Sequence, residues 1–157
     1  MKIILISVGN MREAPLKELA ERFSARIPHY MPFEAIVLPD APAKKNSTPE
    51  SRAAKEGEAI LGKISPGDFV ALFDEGGKEM TSREFSASIA GKALMVSRNL
   101  VFVIGGPYGF SMAVYERADA KISLSQMTFT HEMARVIALE QIYRAMTIMR
   151  GEPYHHD

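Results

Sequence analysis

The stretch L-V-F-V-I-G-G-P-Y-G-F-S, residues 100–111, decides the fold. Val101, Phe102, Val103 and Ile104 are consecutive β-forming residues with no polar position among them, so they read as a strand buried on both faces. Gly105, Gly106, Pro107 and Gly109 follow at once. A strand covered on both faces belongs to a parallel sheet, and ligands settle at the carboxyl ends of such strands. Glycine, lacking a Cβ, lets backbone N–H and C=O groups approach a ligand closely. A tight strand-to-helix turn demands the same residues, so binding and plain turn geometry both remain open on this stretch alone.

Working outward, strand and helix alternate. Upstream, Thr81 and Glu84 form a T-x-x-E capping box that starts a helix running to about Val96, and F-V-A-L-F at Phe69 to Phe73 is a strand ending in the loop Asp74 to Lys78. Thr48-Pro49-Glu50 carries the cap, proline and early acid of a helix continuing to about Lys63. Phe33 to Leu38 and Lys2 to Val8 are strands, and Leu16, Leu19, Ala20 and Phe23 make the apolar stripe of a helix over residues 15–26. Downstream come a short helix from Ser111 to Arg117, a strand from Lys121 to Ser125, a loop from Gln126 to Thr130 and a long helix to Met149 or Arg150, closed by Gly151 and Pro153. This pattern predicts a single α/β domain over residues 1–157, with a mostly parallel sheet and helices on both faces. The loops after Phe73, Ile104 and Leu124 then emerge on one edge and can share one site. Backbone groups there suit the edge of an adenine, and Leu72, Phe73, Leu124, Met127 and Phe129 suit its faces.

Composition removes several chemistries. There is no cysteine, which excludes disulfides, thiolate metal sites and cysteine nucleophiles. The apolar run Ile3 to Ile6 is too short for a signal or membrane segment, so a soluble, cytoplasmic protein with no membrane association is expected. Lys+Arg and Asp+Glu stand at 19 each, without the basic excess of a protein that grips naked nucleic acid. Neither G-x-G-x-x-G, nor the P-loop pattern, nor G-x-S-x-G occurs, and Arg135 stands where a zincin motif beginning at His131-Glu132 needs histidine. No metal site is expected. Lys44-Lys45 read as solvated charge or a phosphate contact, and His155-His156-Asp157 as a flexible polar tail. In the last helix Val136, Leu139, Ile142, Tyr143, Met146 and Met149 form one apolar stripe, while Met133, Ile137 and Ile148 lie off it. That surplus predicts a homodimer through this helix. Glu140 and Arg144, four apart, read as a surface pair.

Three segments together carry a resemblance: F-V-I-G-G-P-Y-G, I-S-L-S-Q-M-T-F-T-H-E-M-A-R, and the ending E-Q-I-Y-R-A-M-T-I-M-R-G-E-P-Y-H-H. The chain resembles, over essentially its whole length, the ribosomal RNA large-subunit pseudouridine N3-methyltransferases of the SPOUT class. The resemblance implies an α/β knot fold, a homodimer, and S-adenosylmethionine (SAM) bound in a C-terminal trefoil knot. Its implied substrate is a pseudouridine of 23S ribosomal RNA in the assembled ribosome, methylated at N3 without a metal. Carried onto this chain, the cofactor residues are Leu72, Phe73, Gly105, Gly106, Leu124, Ser125, Gln126, Met127, Thr128 and Phe129. At the tail, His155 is the candidate for handling the proton or orienting the base, Tyr154 for stacking on or hydrogen-bonding it, and Arg144 for a phosphate or developing imide charge. His156 stands where some relatives carry arginine. Two other classes compete: a non-catalytic ribosome- or RNA-binding factor that retains the fold, and an enzyme acting on a free nucleotide, which the lack of nucleophile and metal motifs disfavours.

Overall fold

The structure, a computed structural model, describes residues 1–95 and 98–156. Strand β4 (Leu100–Ile104) is buried along its whole length. It lies between β1 (Ile3–Val8) and β3 (Phe69–Glu79), with β2 (Phe33–Leu38) outside β1 and β5 (Ala120–Ser123) outside β3. All four pairings in the order β2-β1-β4-β3-β5 are parallel. The central position of β4 explains its unbroken apolar run, because neither face meets water.

Alternation along each strand divides the core in two. Ile3 and Leu5 of β1, Leu100, Phe102 and Ile104 of β4, and Ala71 and Phe73 of β3 face α1 (Ala14–Arg26), α3 (Ser82–Met95) and α5 (His131–Met149). Ile4, Ile6, Val8, Val101, Val103, Val70 and Leu72 face α2 (Pro49–Leu61) and α4 (Met112–Arg117). Phe73 stacks on Phe102 with ring centroids 5.4 Å apart, and Phe85 of α3 tilts against Phe102 at 5.6 Å. Helix starts follow their caps: Thr81 and Glu84 exchange backbone N–H bonds at 2.7 and 3.1 Å, and Thr130 Oγ1 accepts from Met133 N–H at 3.2 Å. The expected end of α3 at Val96 lies outside the described residues.

Three expectations change. Asp74 to Lys78 is not simply a loop: β3 pairs with β5 through Phe73, makes an excursion, and pairs again at Lys78 and Glu79. At the return, a Cβ on Gly77 would lie 2.6 Å from backbone atoms of Lys121 and Ile122, so two main chains meet where no side chain fits. Second, β5 stops at Ser123, leaving Leu124 and Ser125 in the following loop. Third, residues 150–156 are not a loose end. Gly151 takes φ +68°, Glu152 N–H donates to Thr147 C=O at 3.0 Å, and the Tyr154 ring meets Tyr143 edge-on at 4.8 Å, folding the tail back along α5.

Helix α5 lies against the sheet with α1 and α3 beside it, which buries Val136, Leu139, Ile142 and Met146 within one protomer. The main apolar stripe of the helix is thereby accounted for, and the residues off it are not. Met133, Ile137, Ile148 and Met149 keep some exposure. Among the described residues no helix is long and apolar enough to cross a membrane.

Gly77→Ala is expected to destabilise the protein at or beyond the upper end of the roughly 1–3 kcal/mol typical of overpacking, because backbone cannot step aside as a side chain can. Urea unfolding of the variant beside wild type measures this.

Candidate active site

Connections leave β1 and β4 toward opposite faces of the sheet, into α1 and α4 respectively. Where neighbouring strands part in this way a crevice opens beyond their carboxyl ends. The crevice here is a cavity of about 690 Å³, within the range of small-molecule sites. Its walls come from the segments after β1, β3, β4 and β5 and from the start of α5.

The β4 wall is a turn. Gly109 N–H donates to Gly106 C=O at 3.1 Å, and Gly109 takes φ +74°, a conformation other residues avoid. Behind the turn, a Cβ on Gly105 would lie 3.2 Å from the Phe110 ring. The β3 wall carries Asp74, whose Oδ1 accepts from Gly76 N–H at 2.8 Å and whose Oδ2 accepts from the Tyr115 hydroxyl at 2.5 Å. Burial, and then this bond to Asp74, push the Tyr115 phenol up to about 12, so it stays a neutral donor. The β1 wall is fastened by α5. Glu132 Oε1 accepts from the backbone N–H groups of Arg12 and Glu13 at 2.7 and 3.1 Å, and Arg135 Nη2 donates to Val8 and Gly9 C=O at 3.2 and 2.6 Å. The Glu13 amide, above all, holds the Glu132 carboxyl below the ordinary carboxylate range.

Of the expected cofactor residues, Phe73, Gly105, Gly106, Leu124, Ser125, Met127, Thr128 and Phe129 line this cavity. Leu72 does not: it alternates to the other face and is fully buried in the core with α2 and α4. Gln126 is exposed and lies outside the lining. Sequence reading missed Glu13, Asp74, Tyr115 and Glu132. The signal for Glu13 was present, since the Gly9-Asn10 turn ends a parallel strand and must open on the same edge.

Arg144, Tyr154 and His155 form a second cluster, and Glu140 organises it. Its Oε1 accepts from Arg144 Nε at 3.0 Å, Arg144 Nη2 at 2.5 Å and the Tyr154 hydroxyl at 3.0 Å, while Oε2 accepts from Gln141 Nε2 at 2.8 Å. The Arg144 guanidinium lies over the Tyr154 ring at 4.8 Å. Glu140 and Arg144 are thus a partly buried hub, not the plain surface pair their spacing suggested. The Glu140 bond raises Arg144 further above its ordinary range, and burial followed by the Glu140 bond raises Tyr154. Arg144 Nη1 lies 3.2 Å from His155 Nδ1. A guanidinium N–H can only donate, so Nδ1 is the acceptor in this contact. From His131 at the cavity to Arg144 is thirteen residues of α5, roughly 20 Å of helix rise, so one protomer does not bring the two clusters together.

A family model described as "Predicted SPOUT methyltransferase" matches residues 1–155. The chain belongs to the SPOUT methyltransferase family. Relatives of this SPOUT methyltransferase include the ribosomal RNA large subunit methyltransferase H of Parabacteroides distasonis, 51% identical over 157 residues with all of both chains covered. The protein of the same name from Christiangramia forsetii is 47% identical over 156 residues, covering 99% of each chain. Among solved structures, a Legionella pneumophila protein titled a methyltransferase in complex with SAM aligns with a TM-score of 0.51 at 13% identity, over 92% of this chain and 66% of that one. That likeness supports the fold. Among the described residues of this SPOUT methyltransferase no group of three or more His, Asp or Glu is placed to hold a metal ion.

Glu132 should anchor the β1 wall above the ordinary carboxylate range, and the anchor should weaken as pH falls through its lowered folded value. Hydrogen exchange at the Arg12 and Glu13 amides tests this. Glu132→Ala is expected to speed exchange at both by about tenfold or more at neutral pH and to abolish its additional rise in acid.

Proposed function

We propose that this SPOUT methyltransferase uses SAM to methylate N3 of a pseudouridine in 23S ribosomal RNA, on the assembled ribosome and hence in the cytoplasm. The observation that carries the reading is the identity of 51% over the full chain with a ribosomal RNA large subunit methyltransferase. The cavity fits the cofactor. Ile104, Leu124 and Phe129 offer apolar faces for an adenine, the glycine turn offers backbone edges, and Asp74 and Glu75 put negative charge in the same lining. SAM supplies an activated methyl group on a cationic sulfur. A trefoil knot around this cavity accords with the close passage of Gly77 against β5.

The chain's own residues then position the base and stabilise the charge left on it when N3 gives its proton to solvent water. An imide N3 must lose its proton to become a nucleophile, and the guanidinium of Arg144 stabilises the negative charge that results. Arg144 holds the Nδ1 side of the His155 ring and so fixes its orientation at the tail. His155 therefore orients the base, and the tail offers Tyr154 as a neutral surface for stacking.

Because cavity and tail sit toward opposite ends of α5, the complete site is assembled from two protomers. Antiparallel packing of α5 through Met133, Ile137 and Ile148 brings the tail of one protomer to the cavity of its partner. The neutral total charge agrees with an enzyme that recognises an assembled ribosome more than a naked hairpin. A non-catalytic binding factor has no use for a ligand-sized cavity of this lining.

Titration calorimetry should show SAM binding. Mass spectrometry of 23S RNA from a deletion strain should show loss of one methyl from a pseudouridine, restored by the wild-type gene. Loss of no methyl would overturn the function. His155→Ala is expected to lower kcat by about 10²-fold or less, with SAM affinity unchanged. Gly105→Val and Glu140→Ala should each be inactive alone, and mixed dimers of the two should regain activity at one site. Mixed dimers that stay inactive would sink the shared-site reading.

A further inference from the structure

Helix α2 backs the glycine turn from behind, on the side away from the cavity, with three residues of one face. Arg52 lays its guanidinium over the Tyr108 ring at 5.0 Å and donates to the Tyr108 hydroxyl. Gly57 presses against the start of α4, where a Cβ would lie 2.3 Å from Ser111 Oγ. Between them Glu56 fills the space behind Gly106: a Cβ there would lie 2.8 Å from Oε2 and 3.2 Å from Oε1. Glycine at 106 lets this carboxylate stand directly behind the turn, and any larger residue there would have to push it aside.

Glu56 is 3% exposed, and neither of its side-chain oxygens has a hydrogen-bond partner. The Ala41 amide approaches and partly offsets the cost of burial without completing a bond. Asp40, Arg52 and His131 are the charged or titratable groups that act on it. The buried Arg52 Nε, one turn earlier, is likewise without a partner. Burying a carboxylate unpaired weakens a protein, and an apolar side chain of similar size would fill the same volume without that penalty. The carboxylate therefore has its use in another state of the turn, and what differs between states is occupation of the cavity in front.

We propose that Glu56 is a positioning residue for the cofactor: its carboxylate stands behind Gly106 to accept backbone N–H groups of the 105–109 turn when SAM seats against the opposite side. Pro107 has no N–H, and Gly106 and Gly109 pair with each other across the turn, so Gly105 and Tyr108 supply the candidate donors. Arg52 keeps the tip of the turn from moving away by holding Tyr108. Empty, the site carries an unsatisfied group; loaded, it does not, and SAM affinity includes the difference.

This inference rests on SAM binding in the cavity. It predicts that affinity and stability separate, which a purely structural glutamate would not produce. Glu56→Leu should weaken SAM binding by about tenfold in calorimetry while the ligand-free Tm stays level or rises. Glu56→Gln, which keeps the shape and one acceptor oxygen, should lose about threefold. At saturating SAM, kcat for both should stay within about twofold of wild type, placing the effect in KM. The proposal is overturned if both variants bind SAM within twofold of wild type, or if affinity falls only together with the ligand-free Tm. Should Glu56→Leu fail to fold, the nearly isosteric Glu56→Gln decides by the same readings. Wild type that does not bind SAM would instead refute the cofactor assignment itself.

Discussion

Everything functional in this molecule depends on all the strands running the same way. A parallel sheet sends every strand-to-helix connection out of one edge, whatever the order of strands within it. Segments far apart in the chain, following Val8, Phe73, Ile104 and Ser123, consequently meet around one cavity. The buried aliphatic residues of β1 and β4 enforce the arrangement. Two-sided burial leaves them no polar face to turn to water, so helices must cover both sides.

Helix α5 couples that edge to a second group of residues. Its first turns hold the end of β1 through Glu132 and Arg135, and its last turns hold Arg144, Tyr154 and His155 around Glu140. Both fastenings use charge-assisted hydrogen bonds, which are stronger than bonds between neutral groups, and Arg135 makes its bonds from a buried position. The helix behaves as a rigid spacer that holds the two groups roughly 20 Å apart. A rigid spacer separates what it carries, which is why the cavity and the tail make chemical sense as parts of a dimer.

Much of this was legible without coordinates because the signals are local. Periodicity, capping residues and glycine punctuation marked five strands and five helices, all but the end of β3 near their observed bounds, and two-sided apolar runs marked the parallel sheet. Eight of the ten expected cofactor positions line the cavity because strand-end loops are positioned by topology. The departures are equally physical. Leu72 follows the two-residue alternation of its strand into the opposite core, which a list of adjacent residues cannot anticipate. The β3 excursion was read as a loop because its return depends on β5, forty-odd residues further along.

Local chemistry along the chain set the elements, their order and the parallel sheet, and resemblance gave the methyltransferase family. These follow from nearest-neighbour chemistry along one chain. Tertiary structure decided which acidic residues matter. Glu140 became the hub of the tail, Glu132 the anchor of the β1 wall and Glu56 the brace behind Gly106. In the sequence each is one acidic residue among 19 acidic positions. A carboxylate acquires its role from burial and from the donors that packing places within about 3 Å of it, and neither is a property of sequence neighbours.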